Sequence, residues 1–83
     1  MSTTSPLPEA VARVIRSEMT RRGVTAAELA GPSGLRVAGL MARLRGEVPF
    51  SLEELDALAP ALGLHTGDLI SRAWQEASDA PRG

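Results

Sequence analysis

The fold of this chain is decided by residues 24–46, VTAAELAGPSGLRVAGLMARLRG. The segment opens with a capping box, TAAE, in which the Thr25 hydroxyl accepts from the Glu28 amide and the Glu28 side chain reaches back. This box predicts a short helix that ends at the Gly-Pro pair before Ser33, since proline cannot continue a regular helix. A turn, PSG, leads into another helix that runs nearly to Gly46. Two short helices joined by a glycine-containing turn are the signature of a helix-turn-helix.

Another helix is predicted before this segment, over residues 8–22. Val11, Ile15 and Met19 recur every four residues and give it one apolar stripe. The preceding residues 1–7 are rich in serine, threonine and proline, and we expect them to form a flexible tail.

Two helices are predicted after the segment. SLEE, residues 51–54, is a further capping box, and Pro60 interrupts the helix that it opens. The buried face of that helix is expected to comprise Leu52, Leu55, Leu58, Ala59 and Leu62. The last helix is expected to start at Thr66 as its cap. No stretch alternates like a strand, so the sequence predicts an all-α domain of five helices at residues 8–77, with a flexible tail at 78–83.

Charge is distributed unevenly along the chain. Residues 1–46 carry seven arginines against three glutamates, and residues 47–83 carry two arginines against seven acidic residues. The asymmetry indicates a half that faces a polyanion and a half that faces solvent or a partner, although chance in a short chain can also produce it.

Other features of the sequence exclude several classes of protein. There is no cysteine, so disulfides and thiolate metal sites are excluded. His65 has no acidic or histidine neighbour at ligand spacing, and no nucleophile with a base or glycine-rich phosphate loop is present. We therefore expect neither an enzyme nor a cofactor. No apolar run approaches the roughly 20 residues of a membrane span, and the first residues lack signal-peptide character. We expect a soluble intracellular protein.

Four segments of the chain match a known pattern in order and spacing. They are RRGVTAAELA (21–30), the turn glycine Gly34, LMARLRGEVPFSLEELDALAPALGL (40–64) and HTGDLI (65–70). Together they resemble the Cro and phage-repressor (Xre-like) helix-turn-helix family. The resemblance implies a duplex-DNA-binding transcriptional regulator, usually a homodimer on a pseudo-palindromic operator. The helix after the turn would lie in the major groove, and the helix before it would cross the backbone.

The resemblance also implies which residues would face DNA. They are Thr25, Ala26, Arg36, Val37, Ala38, Gly39, Met41, Ala42, Arg43 and Arg45. Of these, Arg43 and Arg45 would lie near the DNA backbone. Leu35, Leu40 and Leu44 would turn inward. Two positions depart from the family pattern: Ala26 stands where glutamine is frequent, and Ser33 stands where a buried apolar residue is usual. Ser33 is a candidate cap for an extended second helix of the motif.

Alternatives remain open at two surfaces. The Val37, Ala38 and Met41 face, rimmed by arginines, also suits a protein partner, as in an antitoxin-like or anti-repressor-like module. Ile70 and Trp74, one turn apart on the last helix, are either a dimer interface or residues that pack on the first and fourth helices.

Overall fold

The computed structural model describes residues 6–79, which form five α-helices and contain no strand. The helices are α1 (Pro6–Arg22), α2 (Ala26–Ser33), α3 (Val37–Leu44), α4 (Leu52–Leu58) and α5 (Thr66–Asp79), with a 3-10 turn at Pro60–Leu62. The predicted all-α, five-helix fold is confirmed. Helix α1 begins two residues before the predicted start, and α5 extends two residues past the predicted end. The remainder of the predicted tails, residues 1–5 and 80–83, lies outside the described residues.

An aliphatic core joins all five helices. Helix α1 packs along α5 and also contacts α3, while α2 packs against both α3 and α4. The residues of this core with the least exposure include Val14, Ile15, Leu29, Leu40, Leu58, Leu62 and Leu69. The stripe predicted on α1 is buried as expected. Since apolar area removed from water is the main stabilising contribution in a domain of this size, this core holds α2 and α3 in place.

Helix α2 continues through Pro32 to Ser33, so the predicted end at the Gly-Pro pair is wrong. Pro32 lies in the last turn, where its missing N–H removes a single helical hydrogen bond. The Ser33 hydroxyl is buried and donates to the Ala30 carbonyl over 2.9 Å. Gly34 then ends the helix with a left-handed φ of 71°, and the Leu35 amide also donates to Ala30. Ser33 thus completes α2, and the expectation that it caps the next helix is wrong.

The predicted inner face of α4 is wrong at Leu52, which is 61% exposed. Leu55 and Leu58 are buried as expected, because the Ser51 capping box starts the helix with these two residues turned inward. Helix α4 ends at Leu58, and the interruption predicted at Pro60 takes the form of the 3-10 turn. Leu52 sits in the first turn, at the edge of an open groove rather than in the core.

The start of α5 also differs from the expectation. Thr66 is the first helical residue and not the cap. Its hydroxyl donates to the Asp56 carboxylate over 2.6 Å. The hydroxyl therefore joins α5 to α4 instead of closing its own helix.

Glu18 is a buried carboxylate that joins α1 to α5. Its side chain is 1% exposed, and it accepts from Arg72 of α5 over 2.7 Å and from Arg22 over 3.0 Å. The hydrogen bonds from Arg72 and Arg22 hold the pKa of Glu18 below its ordinary value, against the opposing effect of burial. Glu18 therefore remains ionised at neutral pH, where its partners satisfy it.

We expect this carboxylate to make stability depend on pH. Because its pKa is lower in the folded chain, its contribution is complete above the ordinary pKa of 4.5 and is lost as pH falls through the folded value. At pH 7, Glu18→Gln should lower the free energy of unfolding by about 1.5–3 kcal/mol, as expected for hydrogen bonds to charged groups. The difference from wild type should shrink in urea titrations at acidic pH. Glu53→Gln, at an exposed site on α4, is the control, and an unchanged difference between pH 7 and pH 3 would contradict the assignment.

Candidate nucleic-acid interface

Helix α3 is held by one buried edge and exposes the opposite one. Leu40 and Leu44, one turn apart, are buried, and Leu35 before the helix is partly buried against the core. The inward orientation that the resemblance implies is confirmed for Leu40 and Leu44, and their spacing of one turn keeps them on one face. The residues of α3 and its N-cap that were predicted to face DNA differ in exposure. Arg36, Val37, Ala38 and Met41 are exposed, while Gly39, Ala42 and Arg43 are partly buried. The helix therefore presents its N-terminal end most openly.

Arg36 occupies the N-cap position of α3 in extended conformation, and its side chain makes no capping hydrogen bond. It is also the one arginine in residues 6–79 whose guanidinium has no hydrogen bond or ion pair with another residue of this range. The other seven pair with carboxylates or a backbone carbonyl: Arg13 with Glu76, Arg16 with Leu44, Arg21, Arg22 and Arg72 with Glu18, Arg43 with Glu54, and Arg45 with Glu47. All five guanidinium donors of Arg36 are thus available to a ligand.

The two arginines at the other end of α3 differ in their surroundings. Arg43 donates from Nε to Glu54 over 2.9 Å and from Nη1 to the Gly39 carbonyl over 2.9 Å. Arg45 pairs with Glu47 over 2.9 and 3.2 Å, and both of these side chains are more than half exposed. An exposed pair of this kind contributes little to stability, so Arg45 can exchange Glu47 for another anion.

The start of α2 carries the capping box predicted from the sequence. The Glu28 amide donates to the Thr25 hydroxyl over 3.1 Å, and the Thr25 amide donates to Glu28 over 2.9 Å. The backbone hydrogen bond from Thr25 is the main reason that the pKa of Glu28 is lowered. Thr25 is exposed and keeps its hydroxyl hydrogen for another acceptor, whereas Ala26 packs partly against the core. The amides of this first turn form a positive end that suits a phosphate.

An open, largely apolar groove of about 710 Å³ separates the start of α2 from α3. Its lining includes Met19, Val24, Met41 and Leu44, with Arg16 and Arg45 at the rim. Four residues predicted to face DNA border this groove together: Thr25, Ala26, Met41 and Arg45. Arg36, Val37 and Ala38 do not border it and lie at the N-terminal end of α3.

Two residues near this surface were not identified from the sequence. Arg16 of α1 donates to the Leu44 carbonyl and so supports the last turn of α3. Glu54 of α4 pairs with Arg43. The sequence marks Glu54 as a member of the capping box, but its pairing with a residue eleven positions earlier depends on tertiary packing.

The proposed dimer residues have different environments. Trp74 is 57% exposed, whereas Ile70 is partly buried and packs against the core. Ile70 therefore contributes to the core, whereas more than half of the Trp74 side chain is open to solvent. A large exposed aromatic side chain is the type of residue that anchors protein interfaces.

Neither a candidate metal site nor a candidate membrane-spanning helix is present in the part of the chain that the structure describes. Between residues 6 and 79, no group of three or more His, Asp or Glu side chains is placed to hold a metal ion. None of the helices in this range is long and apolar enough to cross a membrane. His65 is exposed.

The fold and this helix pair define a helix-turn-helix domain. The chain belongs to the family of Cro/C1-type HTH DNA-binding domains, which matches residues 14–73. It is similar to the clp gene regulator ClgR from Corynebacterium glutamicum, whose crystal structure gives a TM-score of 0.82 at 32% sequence identity. That likeness covers 90% of this chain and 81% of the ClgR chain. No match was found among curated proteins. The predicted family is confirmed.

Proposed function

We propose that the protein is a transcriptional regulator that binds duplex DNA of specific sequence, with α3 in the major groove. The observation that carries the proposal is Arg36, an arginine without a partner in the described chain at the N-terminal end of the recognition helix. In helix-turn-helix complexes, the N-terminal residues of this helix contact the base edges. The family membership and the likeness to ClgR, a gene regulator, support the same function. The site of action would be the cytoplasm of a bacterial cell or phage-infected host.

The exposed residues of α3 suggest how bases would be read. Arg36 suits a bidentate pair with the O6 and N7 atoms of guanine, worth about 1–3 kcal/mol of discrimination. Val37, Ala38 and Met41 offer apolar contacts to thymine methyl groups. Gly39 and the small side chain of Ala42 allow the helix to approach the bases closely. Specificity would therefore combine one strong hydrogen-bonding residue with methyl contacts.

Backbone contacts would come from the start of α2 and the end of α3. The Thr25 hydroxyl and the Ala26 amide lie at the positive end of α2, where a phosphate is favoured. Arg45 would exchange its exposed pair with Glu47 for a phosphate. Contacts of this kind supply affinity and register without reading sequence.

Stability and DNA affinity should respond oppositely at Gly39. Gly39→Ala should raise the free energy of unfolding by up to about 1 kcal/mol, because glycine is unfavourable inside a helix. The added Cβ would lie 3.4 Å from Arg43 Nη1, so the chain has room for it. DNA affinity should nevertheless fall severalfold, because the proposed close approach of the α3 backbone to the bases leaves little space for the methyl group. Ser17→Ala, on the exposed part of α1 outside the groove, is the stabilising control with unchanged affinity. Unchanged DNA affinity in Gly39→Ala would contradict the close approach.

We further propose a homodimer that forms through α5, with Trp74 as the central contact and Ile70 beside it. A two-fold axis would place the two α3 helices on half-sites about 34 Å apart, which implies a pseudo-palindromic operator. The exposed indole of Trp74 supports this choice of surface.

Trp74→Ala is expected to convert the dimer into a monomer. Light scattering should give about twice the 8.7 kDa chain mass for wild type and a single chain mass for the variant. Leu52→Ala removes a similarly exposed apolar side chain on α4 and should leave the dimer intact. A monomeric wild type, or an unchanged mass in Trp74→Ala, would remove Trp74 from the interface.

A second candidate function is protein binding through the same face. The apolar groove beside Met41 and the exposure of Val37 are the observations that favour it. An antitoxin-like or anti-repressor-like partner would insert apolar side chains there and compete with DNA. This function can coexist with DNA binding.

An electrophoretic shift across a salt series separates the two functions. The probe is the promoter region of the protein's own gene, and a scrambled duplex of equal length is the control. The DNA proposal expects a shift that is tighter for the promoter and weakens steeply as salt rises. Absence of any shift at low salt, together with a stable protein complex in a pull-down that Met41→Asp abolishes, would favour the protein-binding function.

A further inference from the structure

We infer that Arg43 is a positioning residue that fixes the orientation of α3 through Glu54 of α4, and not a phosphate contact. The inference rests on the proposed DNA-binding function, because orientation matters for reading bases. It changes the role that the family resemblance implies for Arg43 and adds Glu54, a residue outside the helix-turn-helix, to those that determine specificity.

The Arg43 guanidinium donates two hydrogen bonds within the protein. Nε lies 2.9 Å from Glu54 Oε1, and Nη1 lies 2.9 Å from the Gly39 carbonyl, one turn earlier in α3. The side chains of Arg43 and Glu54 are both 19% exposed. Arg45, two residues further on, has a side chain that is 53% exposed and pairs with the similarly exposed Glu47. Two of the five guanidinium donors of Arg43 are therefore occupied, in a side chain that is largely shielded, whereas the Arg45 pair is open to solvent. A phosphate can reach Arg45 more readily than Arg43.

Glu54 is itself held rigidly. It is the third helical residue of α4 and closes the capping box: its Oε1 atom accepts from the Ser51 amide over 2.9 Å, while Ser51 Oγ accepts from the Glu54 amide. Burial raises the pKa of Glu54, but the hydrogen bonds from Ser51 and Arg43 outweigh this effect and leave the pKa below its ordinary value. The carboxylate is thus ionised and fixed to the start of α4, and Arg43 pairs with an anchored group.

Helix α3 depends on contacts of this kind. It has eight residues and no side-chain cap at its start, and helices of this length are marginal alone. Its packing is with α1 and α2, through the buried edge at Leu40 and Leu44. Rotation about that edge is restrained by two hydrogen-bonded arginines: Arg43 connects α3 to α4, and Arg16 connects the last carbonyl of α3 to α1. The orientation in which α3 presents Arg36 therefore rests on residues that do not themselves face the bases.

Replacing Arg43 or Arg45 by glutamine distinguishes a residue that positions α3 from one that contacts a phosphate. Each phosphate contact adds about 0.9 to the slope of log affinity against log salt. Arg45→Gln should reduce that slope by this amount and weaken promoter and scrambled duplexes equally. Arg43→Gln should leave the slope unchanged and reduce the preference for the promoter over the scrambled duplex severalfold, because α3 is no longer held in one orientation. A slope reduced in Arg43→Gln as in Arg45→Gln would overturn the inference.

Glu54→Gln should change DNA binding in opposite directions, depending on whether Arg43 positions α3 or contacts a phosphate. Glutamine keeps an oxygen for the Ser51 amide and is itself favoured at the third helical position of a capping box, so the start of α4 is preserved. If Arg43 positions α3, the preference for the promoter should fall, but by less than in Arg43→Gln, because the amide oxygen can still accept from Arg43 Nε and only the negative charge is lost. If Arg43 is a phosphate contact, its release from Glu54 should tighten binding and steepen the slope, and this outcome would overturn the inference.

Amide hydrogen exchange tests the same pair without DNA. The amides of Leu40 and Leu44 in α3 should exchange several-fold faster in Arg43→Gln than in wild type, while those of Val14 and Ile15 in α1 should not change. Unchanged exchange in α3 would overturn the positioning role. If wild type fails to bind any duplex but α3 loosens as expected, the proposed function fails while the restraint by Arg43 stands.

Discussion

Replacing Leu40 by alanine is expected to lower the free energy of unfolding by about 2–5 kcal/mol, as for other fully buried leucines. Leu40 has no exposed surface and lies midway along the buried edge of α3. The substitution leaves a cavity between α3 and the core, and α3 is too short to fold without that contact. In thermal unfolding the midpoint should fall by at least about 8 °C, given 4–8 °C per kcal/mol for a domain of this size.

Leu52→Ala is the matched control for this experiment. Leu52 has the same side chain but is 61% exposed in the first turn of α4, so its removal should change stability by less than about 0.5 kcal/mol. The sequence pattern places both leucines in the core, and the structure separates them. Equal destabilisation by the two variants would contradict the structure of α4.

Arg36→Ala is expected to lower affinity for a specific duplex by about 1–3 kcal/mol, or roughly 5- to 150-fold. The variant should fold normally, because Arg36 is exposed, makes no hydrogen bond within the described chain and does not cap α3 through its side chain. The loss should be largest for duplexes with the preferred guanine and small for duplexes that lack it. Fluorescence anisotropy with both kinds of duplex measures the difference.

Two controls define the role of Arg36. Arg13→Ala removes the same charge from the α1–α5 side of the molecule, where Arg13 pairs with Glu76, and should change affinity little. Arg36→Lys keeps the charge but loses the planar fork that matches guanine, so it should bind with wild-type salt dependence and weaker guanine preference. An equal loss in Arg36→Ala and Arg13→Ala would assign Arg36 to general electrostatics.

Much of the fold was predictable because its signals are local. Capping boxes at Thr25 and Ser51 involve residues three positions apart, and both occur as predicted. The inward edge of α3 follows from the spacing of Leu40 and Leu44. The extent of α2 was not predictable from a rule about proline, since a proline in the last turn removes one hydrogen bond and Ser33 can complete the helix.

The location of the candidate site was predictable from the sequence, but the pairing of its arginines was not. The position of α3 follows from the order of the motif, but the sequence does not distinguish Arg36, which has no partner in the described chain, from Arg43, which has two. That difference arises from the approach of α4 to α3, which brings Glu54 beside Arg43. The exposure of Trp74 likewise depends on how α5 is rotated against α1.

Selection of duplexes from a random pool is the sharpest test of whether α3 reads DNA sequence. The full chain is used to enrich duplexes over several rounds, and enriched and scrambled sequences are then compared across a salt series. We predict a pseudo-palindrome with half-sites about one helical turn apart and one guanine per half-site that Arg36→Ala no longer selects. Failure to enrich any sequence, with no salt-dependent binding at low ionic strength, would contradict the claim that α3 reads DNA.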